Sequence, residues 1–198
     1  MIVLIFYSEN RCMTSKLEIR QNEIITAARR CFRESGFHAA SMSQIAAEAR
    51  LSVGQIYRYF ANKDAIIEEM IRRIIDYRIN EMMEGKIHTH LMPQVLASRF
   101  TLSEDDDALM LEMTAEATRN PKVAAWLAEA DERMFNNACE HLQKEYPHLS
   151  SERVRCCVEV IAVMMEGSLY RRLTPQKVSP ASLEKIYQEI IHLLVTDK

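Results

Sequence analysis

The chain has 198 residues, of which 48% are hydrophobic and 27% are charged, and its formal net charge is −3. These values are typical of a globular protein and argue against a generally basic one. Four glycines, five prolines and no sustained alternation of polar and apolar residues predict an all-α fold. The five cysteines are odd in number and include no C-x-x-C pair, so neither a disulfide framework nor a zinc site is expected.

The chain begins with the apolar run MIVLIFY. This run is too short to cross a bilayer, and it lacks the charged start and the cleavage site of a signal peptide. We interpret residues 1–13 as a disordered arm or as the product of an upstream start codon; a membrane-contacting tail is the alternative. The expected location is the cytoplasm, without a membrane partner.

The first helix is predicted from about Ser15 to Ser35. Gly36 follows it, and glycine often ends a helix. The inner apolar stripe of this helix comprises Ile24, Ala28 and Cys31, flanked by Ile25 and Phe32. Cys31 is therefore expected to be a core residue.

Two short helices are predicted next, each beginning after a serine. Ser41 with Gln44, and Ser52 with Gln55, have the S-x-x-Q spacing of a capping box, in which two side chains satisfy N–H groups at a helix start. Two short helices joined by a four-residue connection are the layout of a helix-turn-helix. The second helix of such a motif enters the major groove of DNA.

The second of these helices has two chemically different faces. Its expected buried stripe comprises Val53, Ile56, Tyr57 and Phe60. The opposite face carries Gln55, Arg58 and Tyr59. Glutamine can pair with adenine and arginine with guanine, while Gly54 lets the backbone approach a neighbour closely. The alternative is a small helical hairpin with a solvated polar face.

The expected DNA contacts extend beyond that face. Tyrosine hydroxyls can reach phosphates, and Lys63 lies at the start of the next helix, where a cation and helix N–H groups can bind a phosphate together. The predicted set is Ser41, Arg50, Ser52, Gly54, Gln55, Tyr57, Arg58, Tyr59 and Lys63. Between residues 14 and 63, eight basic residues face four acidic ones, a local charge of +4 that suits contact with DNA.

This segment resembles the DNA-binding domain of the tetracycline-repressor (TetR/AcrR) family of bacterial transcription regulators. The run from Ser52 to Phe60, followed by Lys63, is similar to the family pattern S-x-G-x-[LI]-Y-x-[HY]-F-x-x-K. The other matching residues are Ala27, Phe32, Gly36, Phe37, Ser41, Ile45, Ala46 and Ala49. The similarity covers about residues 16–70, and the remainder agrees in helical character and length.

Two positions depart from the family pattern. Ala40 stands where the family usually has threonine, so a hydroxyl near the DNA backbone is missing. Arg50 stands where the family usually has a glycine in the turn, and a residue other than glycine is strained at positive φ. We expect either that the turn is altered or that Arg50 adds a phosphate contact.

A DNA-binding domain at residues 14–61 is expected to precede a helical domain at residues 62–198. A long helix is predicted from Asn62 to Glu84, and residues 86–102 are expected to form an irregular polar connection. Further helices are predicted to begin at Ser103, Asn120, Ser151 and Ser179. The helix that begins at Ser151 is apolar nearly all round in its middle, so it must be covered on several sides.

The last two helices can pair with their symmetry mates as a four-helix interface. The resemblance implies the same homodimer, which suits a palindromic operator in double-stranded DNA. The expected interface residues are Val158, Ile161, Met165, Leu183, Ile186, Tyr187, Ile190, Ile191 and Leu194. The alternative is that both helices simply close the core of a monomer.

The resemblance also implies that the second domain binds a small effector, which shifts the spacing of the two DNA-reading heads. We therefore predict a repressor that is released from its operator by a small, largely apolar molecule. Methionine suits such ligands because it is flexible and polarisable. The candidate pocket residues are Met82, Met110, Glu112, Met113, Glu116, Trp126, Met134, Phe135, Met164, Met165 and Tyr170. Glu112 and Glu116 share a helix face and could attract a cationic ligand, but a solvated face is the preferred interpretation.

Two alternatives concern the cysteines and the overall role. The adjacent Cys156 and Cys157 suggest a redox-responsive regulator, although the sequence shows no neighbour that would stabilise a thiolate. A helical adaptor without a role in DNA binding is the other alternative.

A metal-dependent enzyme is the third alternative. Two pairs have the E-x-x-H spacing of di-iron helical bundles, Glu145/His148 and Glu189/His192. Pro147 would break a helix inside the first pair. His88 and His90 form an H-x-H pair without an acidic or cysteine partner at ligand spacing, so a polar connection is preferred there. We expect no enzyme activity, no metal and no cofactor.

Overall fold

The computed structural model describes residues 16–84, 88–99 and 104–196, and within the last range it describes side chains from residue 108 onward. These residues form α-helices and one short 3-10 helix, without a β-strand, which confirms the predicted all-α fold. The α-helices are α1 (Lys16–Ala39), α2 (Met42–Glu48), α3 (Val53–Ile56), α4 (Lys63–Met83), α5 (Met92–Ser98), α6 (Glu104–Ala117), α7 (Pro121–Glu145), α8 (Ser151–Arg171) and α9 (Pro180–Val195). The 3-10 helix, Thr89–Leu91, precedes α5.

The predicted arm at residues 1–13 and the predicted cap Ser103 lie outside the described residues. None of the described helices is long and apolar enough to cross a membrane. The chain divides into two compact units between Ile66 and Ile67, within the first turn of α4. The predicted domain boundary lies slightly earlier, before Asn62.

The first unit contains α1, α2 and α3. The regular part of α1 ends at Gly36, as predicted, because this residue takes a φ of 73° that glycine adopts without a Cβ penalty. The chain changes direction there, and the centroid of the Phe37 ring lies 4.6 Å from that of the Phe32 ring in an edge-on contact. The core around this pair comprises Ile24, Ile25, Ala27, Ala28, Ala40, Ile45, Ala46, Ile56 and Phe60. Cys31 is half-buried at its margin.

In the second unit, α5 contacts α9, α6 contacts α7, and α7 contacts α8. Arg133 of α7 also forms an ion pair of 2.7 Å with Asp76 of α4. A core cluster joins α7, α8 and α9 through Leu142, Leu149, Val154, Cys157, Val158 and Val195. Asn120 and Ser179 cap α7 and α9, as predicted. α8 begins at Ser151, as predicted, and Ser150 is its cap.

The predicted irregular connection at residues 86–102 is wrong in part, because it contains the 3-10 helix and α5. Seven residues are too few to show a clear helical period in the sequence. Leu96 and Ala97 of α5 are each only 1% exposed. The helix is therefore stabilised by burial of its apolar face rather than by local propensity.

Candidate nucleic-acid interface

Two capping boxes build the helix-turn-helix, as predicted. Ser41 Oγ accepts the Gln44 N–H at 3.3 Å, and Gln44 Oε1 accepts the Ser41 N–H at 2.8 Å. Ser52 and Gln55 repeat this arrangement at 3.3 Å and 2.8 Å. Because each box satisfies helix-start N–H groups at both of its residues, the start of α3 is held in one defined conformation.

The turn between α2 and α3 keeps a left-handed residue although it has no glycine. Arg50 has a φ of 55°, and its N–H donates to the Ala47 carbonyl at 3.1 Å. The Leu51 N–H donates to the Ala46 carbonyl at 2.9 Å and completes the helix end. A left-handed arginine costs roughly 1–2 kcal/mol relative to a right-handed one. The turn therefore holds its arginine in a left-handed conformation, and the Arg50 side chain is exposed.

The buried face of α3 is narrower than predicted. Ile56 is 0% exposed and Phe60 is 5% exposed, whereas Val53 is 36% and Tyr57 is 52% exposed. The prediction of a four-residue buried stripe is therefore wrong for Val53 and Tyr57. After Ile56 the backbone tightens, and the Tyr59 N–H donates to the Ile56 carbonyl at 2.8 Å, three residues back. This tighter winding changes the direction of the side chains that follow.

The outer face of α3 and its following turn is open to solvent. Gln55, Tyr57 and Arg58 are exposed, and Tyr59 is half-buried. A Cβ atom added at Gly54 would have no neighbour within 4 Å, so the backbone surface is bare at this point. Gln55 Oε1 already accepts a hydrogen bond from the Ser52 backbone. Its amide group therefore keeps a free donor but shares its acceptor with the cap.

Arginines of the first unit differ in whether a carboxylate of the chain already binds them. Arg20 pairs with Glu23 at 2.5 Å, and Arg30 pairs with Glu48 at 2.8 Å. The hydrogen bond from Arg30 to Glu48 raises the pKa of the Arg30 guanidinium. Across the part of the chain that the structure describes, Arg50 and Arg58 have no such carboxylate or carbonyl partner. Their donors remain available to an external anion.

The Lys63 ammonium has a different partner from the predicted phosphate. Its Nζ donates to the carbonyls of Phe37 at 2.5 Å, of His38 at 3.2 Å and of Ala40 at 3.0 Å. An ammonium has three donors, so all of them are used at the end of α1. A phosphate contact would require Lys63 to release a carbonyl, and that contact stays a prediction.

The candidate pocket residues occupy mixed positions in the second unit. Met113 is 0% exposed, Tyr170 is 51% exposed, and Phe135 packs against the α7–α9 core. Glu116 is only 8% exposed, and its Oε2 accepts a hydrogen bond from Arg119 at 2.7 Å. The expectation of a solvated face is therefore wrong for Glu116. The remaining candidates are all half-buried: Met82, Met110, Glu112, Trp126, Met134, Met164 and Met165.

The predicted dimer residues divide between core and surface. Val158 is 7% exposed and Ile191 is 5% exposed, and Leu194 packs against the α7–α9 cluster. Val158 and Ile191 are therefore covered mainly by their own chain, which argues against their predicted place in a dimer interface, while Leu194 is half-buried. Ile186 is 52% exposed, while the other predicted interface residues are half-buried: Ile161, Met165, Leu183, Tyr187 and Ile190.

The apolar surface of α8 and α9 contains residues that the prediction missed. Val160, Val163 and Tyr170 of α8 are 40%, 60% and 51% exposed, and Leu193 of α9 is 54% exposed. The middle of α8 is thus not covered on all sides within one chain. The helical spacing of these residues was visible in the sequence, but the face that the chain itself would cover was not.

The redox and di-iron alternatives gain no support from the geometry. Cys157 is buried, burial raises the pKa of its thiol, and its Sγ donates to the Leu194 carbonyl. A thiol in this setting is less reactive. His148 Nε2 lies 3.2 Å from the Val195 carbonyl, and Glu189 and His192 are exposed on α9. Among the described residues, no group of metal-ligating atoms joins the two E-x-x-H pairs.

These features define a helix-turn-helix domain followed by a helical unit. Residues 24–70 match the family described as "Bacterial regulatory proteins, tetR family". The match covers the DNA-binding segment, in agreement with the resemblance of its sequence pattern to this family.

A curated relative and a solved structure are similar to this chain over longer ranges. The HTH-type transcriptional regulator UidR of Escherichia coli (strain K12) is 32% identical over 118 residues, which are 58% of this chain and 60% of UidR. The match thus spans less than two thirds of that relative. GusR of Salmonella enterica superposes with a TM-score of 0.76 at 20% identity, covering 91% of this chain and 97% of GusR.

A third protein is the regulator FadR of Bacillus subtilis, solved in complex with stearoyl-CoA. Its TM-score is 0.66 at 23% identity, over 88% of this chain and 97% of FadR. At such identities the solved structures show that the fold is shared. The relative UidR is described as a transcriptional regulator.

Proposed function

We propose that this protein is a sequence-specific DNA-binding regulator of transcription. The observation that carries this proposal is the exposed face of α3 and its following turn, formed by Gln55, Tyr57 and Arg58. Ile56 and Phe60 anchor the opposite side in the core. A short helix with polar side chains on its outer face and a rigid support behind it fits the major groove.

The electrostatics of this surface support the same role. Arg50 in the turn and Arg58 after α3 flank the exposed face, and neither has a partner among the described residues. A cation that is not already paired gains more from a phosphate or from a guanine edge. We therefore assign Arg58 to base reading and Arg50 to a phosphate, with Tyr57 and Tyr59 as further contacts.

We further propose that the protein acts as a homodimer on a palindromic operator. The exposed side chains of Val160, Val163 and Tyr170 on α8, with Ile186 and Leu193 on α9, support this proposal. Val160, Val163 and Tyr170 fall on one face of α8 by their helical spacing, and a large apolar patch is uncommon on a monomer surface. Two DNA-reading units related by a two-fold axis match an operator with the same symmetry.

The proposed regulation is repression that a small, largely apolar effector relieves. The half-buried methionines of the second unit suit such a ligand, and FadR was solved with the acyl compound stearoyl-CoA. α4 begins in the first unit and continues into the second. A shift of α4 on ligand binding would therefore act directly on the helix start that holds Lys63.

The test is an electrophoretic mobility shift with the duplex that flanks the protein's own gene. We expect a shifted complex that survives an excess of unrelated duplex of equal length. Equal competition by the unrelated duplex would contradict sequence-specific binding. We would titrate the duplex with the protein at two salt concentrations. Phosphate contacts weaken as the salt concentration rises, so this comparison separates them from base contacts.

A further inference from the structure

A cluster of metal-ligating side chains lies in the second unit, apart from the DNA-binding surface. His141 and Glu145 stand one turn apart on α7, and His88 immediately precedes the 3-10 helix. One ligand atom from each of these three side chains lies within 4.8 Å of the other two. All three side chains are half-buried. Two imidazoles and a carboxylate from two separate elements thus converge on one point.

The His141 ring has an unsatisfied nitrogen at this point. Its Nε2 is buried, has no hydrogen-bond partner among the described residues, and lies 3.9 Å from Glu145 Oε2. A buried polar atom without a partner is destabilising, because it has lost its hydrogen bonds to water. The centroid of the His88 ring lies 6.4 Å from that of the His141 ring, so both imidazoles border the same space. A cation bound there would satisfy the orphaned nitrogen.

The carboxylate of the cluster is held in position by a neighbour. Thr89 Oγ1 donates to Glu145 Oε2 at 2.8 Å, and the Thr89 N–H approaches the same oxygen at 3.4 Å. Thr89 is only 5% exposed, so these hydrogen bonds are shielded from water. Metal-ligating carboxylates are commonly oriented by such a second hydrogen-bonding partner.

We propose that His88, His141 and Glu145 bind one divalent transition metal ion of the zinc class. Two imidazole nitrogens and one carboxylate oxygen are a donor set that Zn²⁺ uses with its fourth position open. Two nitrogen donors disfavour Mg²⁺ and Ca²⁺, which prefer oxygen. Tetrahedral zinc bonds of about 2.1 Å place ligand atoms roughly 3.4 Å apart. Rotation of the side chains can reduce the present separations of the ligand atoms, which are at most 4.8 Å, to this value.

Metal binding would join the 3-10 helix to the C-terminal turn of α7. The open fourth position is left to water or to a donor atom of a further ligand. The site uses none of the residues of the DNA-binding surface. Metal binding and DNA binding can therefore be tested independently.

The experiment is a titration of the chelator-treated, full-length protein with ZnCl2 by calorimetry and with CoCl2 by visible absorption. We expect one metal ion per chain, a tetrahedral Co²⁺ spectrum and a higher thermal midpoint with Zn²⁺. His88→Ala and His141→Ala should each weaken binding at least about tenfold, and Thr89→Val about 10–100-fold. His192→Ala, an exposed histidine on α9, is the matched control and should bind as the wild type does.

Three results would overturn the proposal. The first is no binding of either metal to the wild-type protein. The second is equal binding by the wild type and both histidine variants, with circular dichroism showing that the variants are folded. The third is a thiolate-to-cobalt charge-transfer band that Cys156→Ser or Cys157→Ser abolishes, because the metal would then lie at the cysteines.

Discussion

At the scale of single residues, Arg58 tests the DNA-binding proposal most directly. Its guanidinium is exposed and has no described partner within the chain. We expect Arg58→Ala to cost about 1–3 kcal/mol in binding to the operator and to relax the preference for one base position. The measurement is competition between the operator and single-base variants of it.

The matched control for this substitution is Arg30→Ala. It removes the same charge from the same unit, but Arg30 is already paired with Glu48 at 2.8 Å. We expect discrimination between sequences to be unchanged by the control. If Arg58→Ala behaves like the control, Arg58 is not a base reader.

A second prediction at this scale concerns Lys63. Lys63→Ala leaves three carbonyls at the end of α1 without their donor. We expect a loss of about 1–3 kcal/mol in the free energy of unfolding, with the salt dependence of DNA binding unchanged. Thermal melting and binding at several salt concentrations measure the two effects. A salt slope smaller by about 1 would instead support the predicted phosphate contact.

Contacts between residues close in the sequence could be predicted from their spacing, whereas contacts between distant residues could not. The capping pairs Ser41/Gln44 and Ser52/Gln55 were predictable because both partners lie three residues apart on one helix start. The carbonyl partners of Lys63 lie more than twenty residues away. Only the path of the folded backbone at Gly36 brings that helix end to the ammonium.

At the scale of elements, Gly54 tests how closely α3 approaches DNA. A methyl group added there meets no atom within 4 Å, so the fold tolerates Gly54→Ala. Alanine should leave the unfolding free energy unchanged or raise it by up to about 1 kcal/mol. We expect DNA binding to weaken nonetheless, because the methyl group separates the backbone from the groove. Unchanged affinity in a normally folded variant would place this backbone away from DNA.

The helices differ in how clearly the sequence predicts them. The long α4, α7 and α8 carry several turns of apolar spacing, and their predicted starts agree closely with the structure. The seven-residue α5 has too few turns to show such a period, and it depends on contact with α9. The tight turn after Ile56 is likewise too short to be predicted from a periodic pattern. It decides that Tyr57 is exposed.

At the scale of the whole molecule, Val163 tests the proposed dimer. It is 60% exposed on α8, in the same surface as Val160 and Tyr170. We expect Val163→Glu to yield a monomer, because a buried unpaired carboxylate is costly at an apolar interface. Affinity for a palindromic operator should fall at least about tenfold, since one reading unit then binds alone. Size-exclusion chromatography with light scattering gives the oligomeric state.

The control for this variant is Met83→Glu, which places the same charge on an exposed apolar residue at the end of α4. It should leave the oligomeric state as it is in the wild type. A wild-type protein that is monomeric at micromolar concentration would contradict the dimer. So would a dimer that Val163→Glu leaves intact.

The sequence by itself determined the features that depend on near neighbours. The helical class, the caps and the helix-turn-helix follow from residues three to four positions apart, because a helix closes its contacts over that distance. The same spacing placed Gln55 and Arg58 on one face of the motif, and both are exposed.

Only the tertiary structure decided the features that join distant segments. It covered Val158 and Ile191 within the chain and left Val163 exposed. It also brought His88 beside His141 and Glu145, where the sequence showed only an H-x-H pair without partners. Such contacts depend on which helix faces meet in the folded chain, and no local spacing encodes that choice.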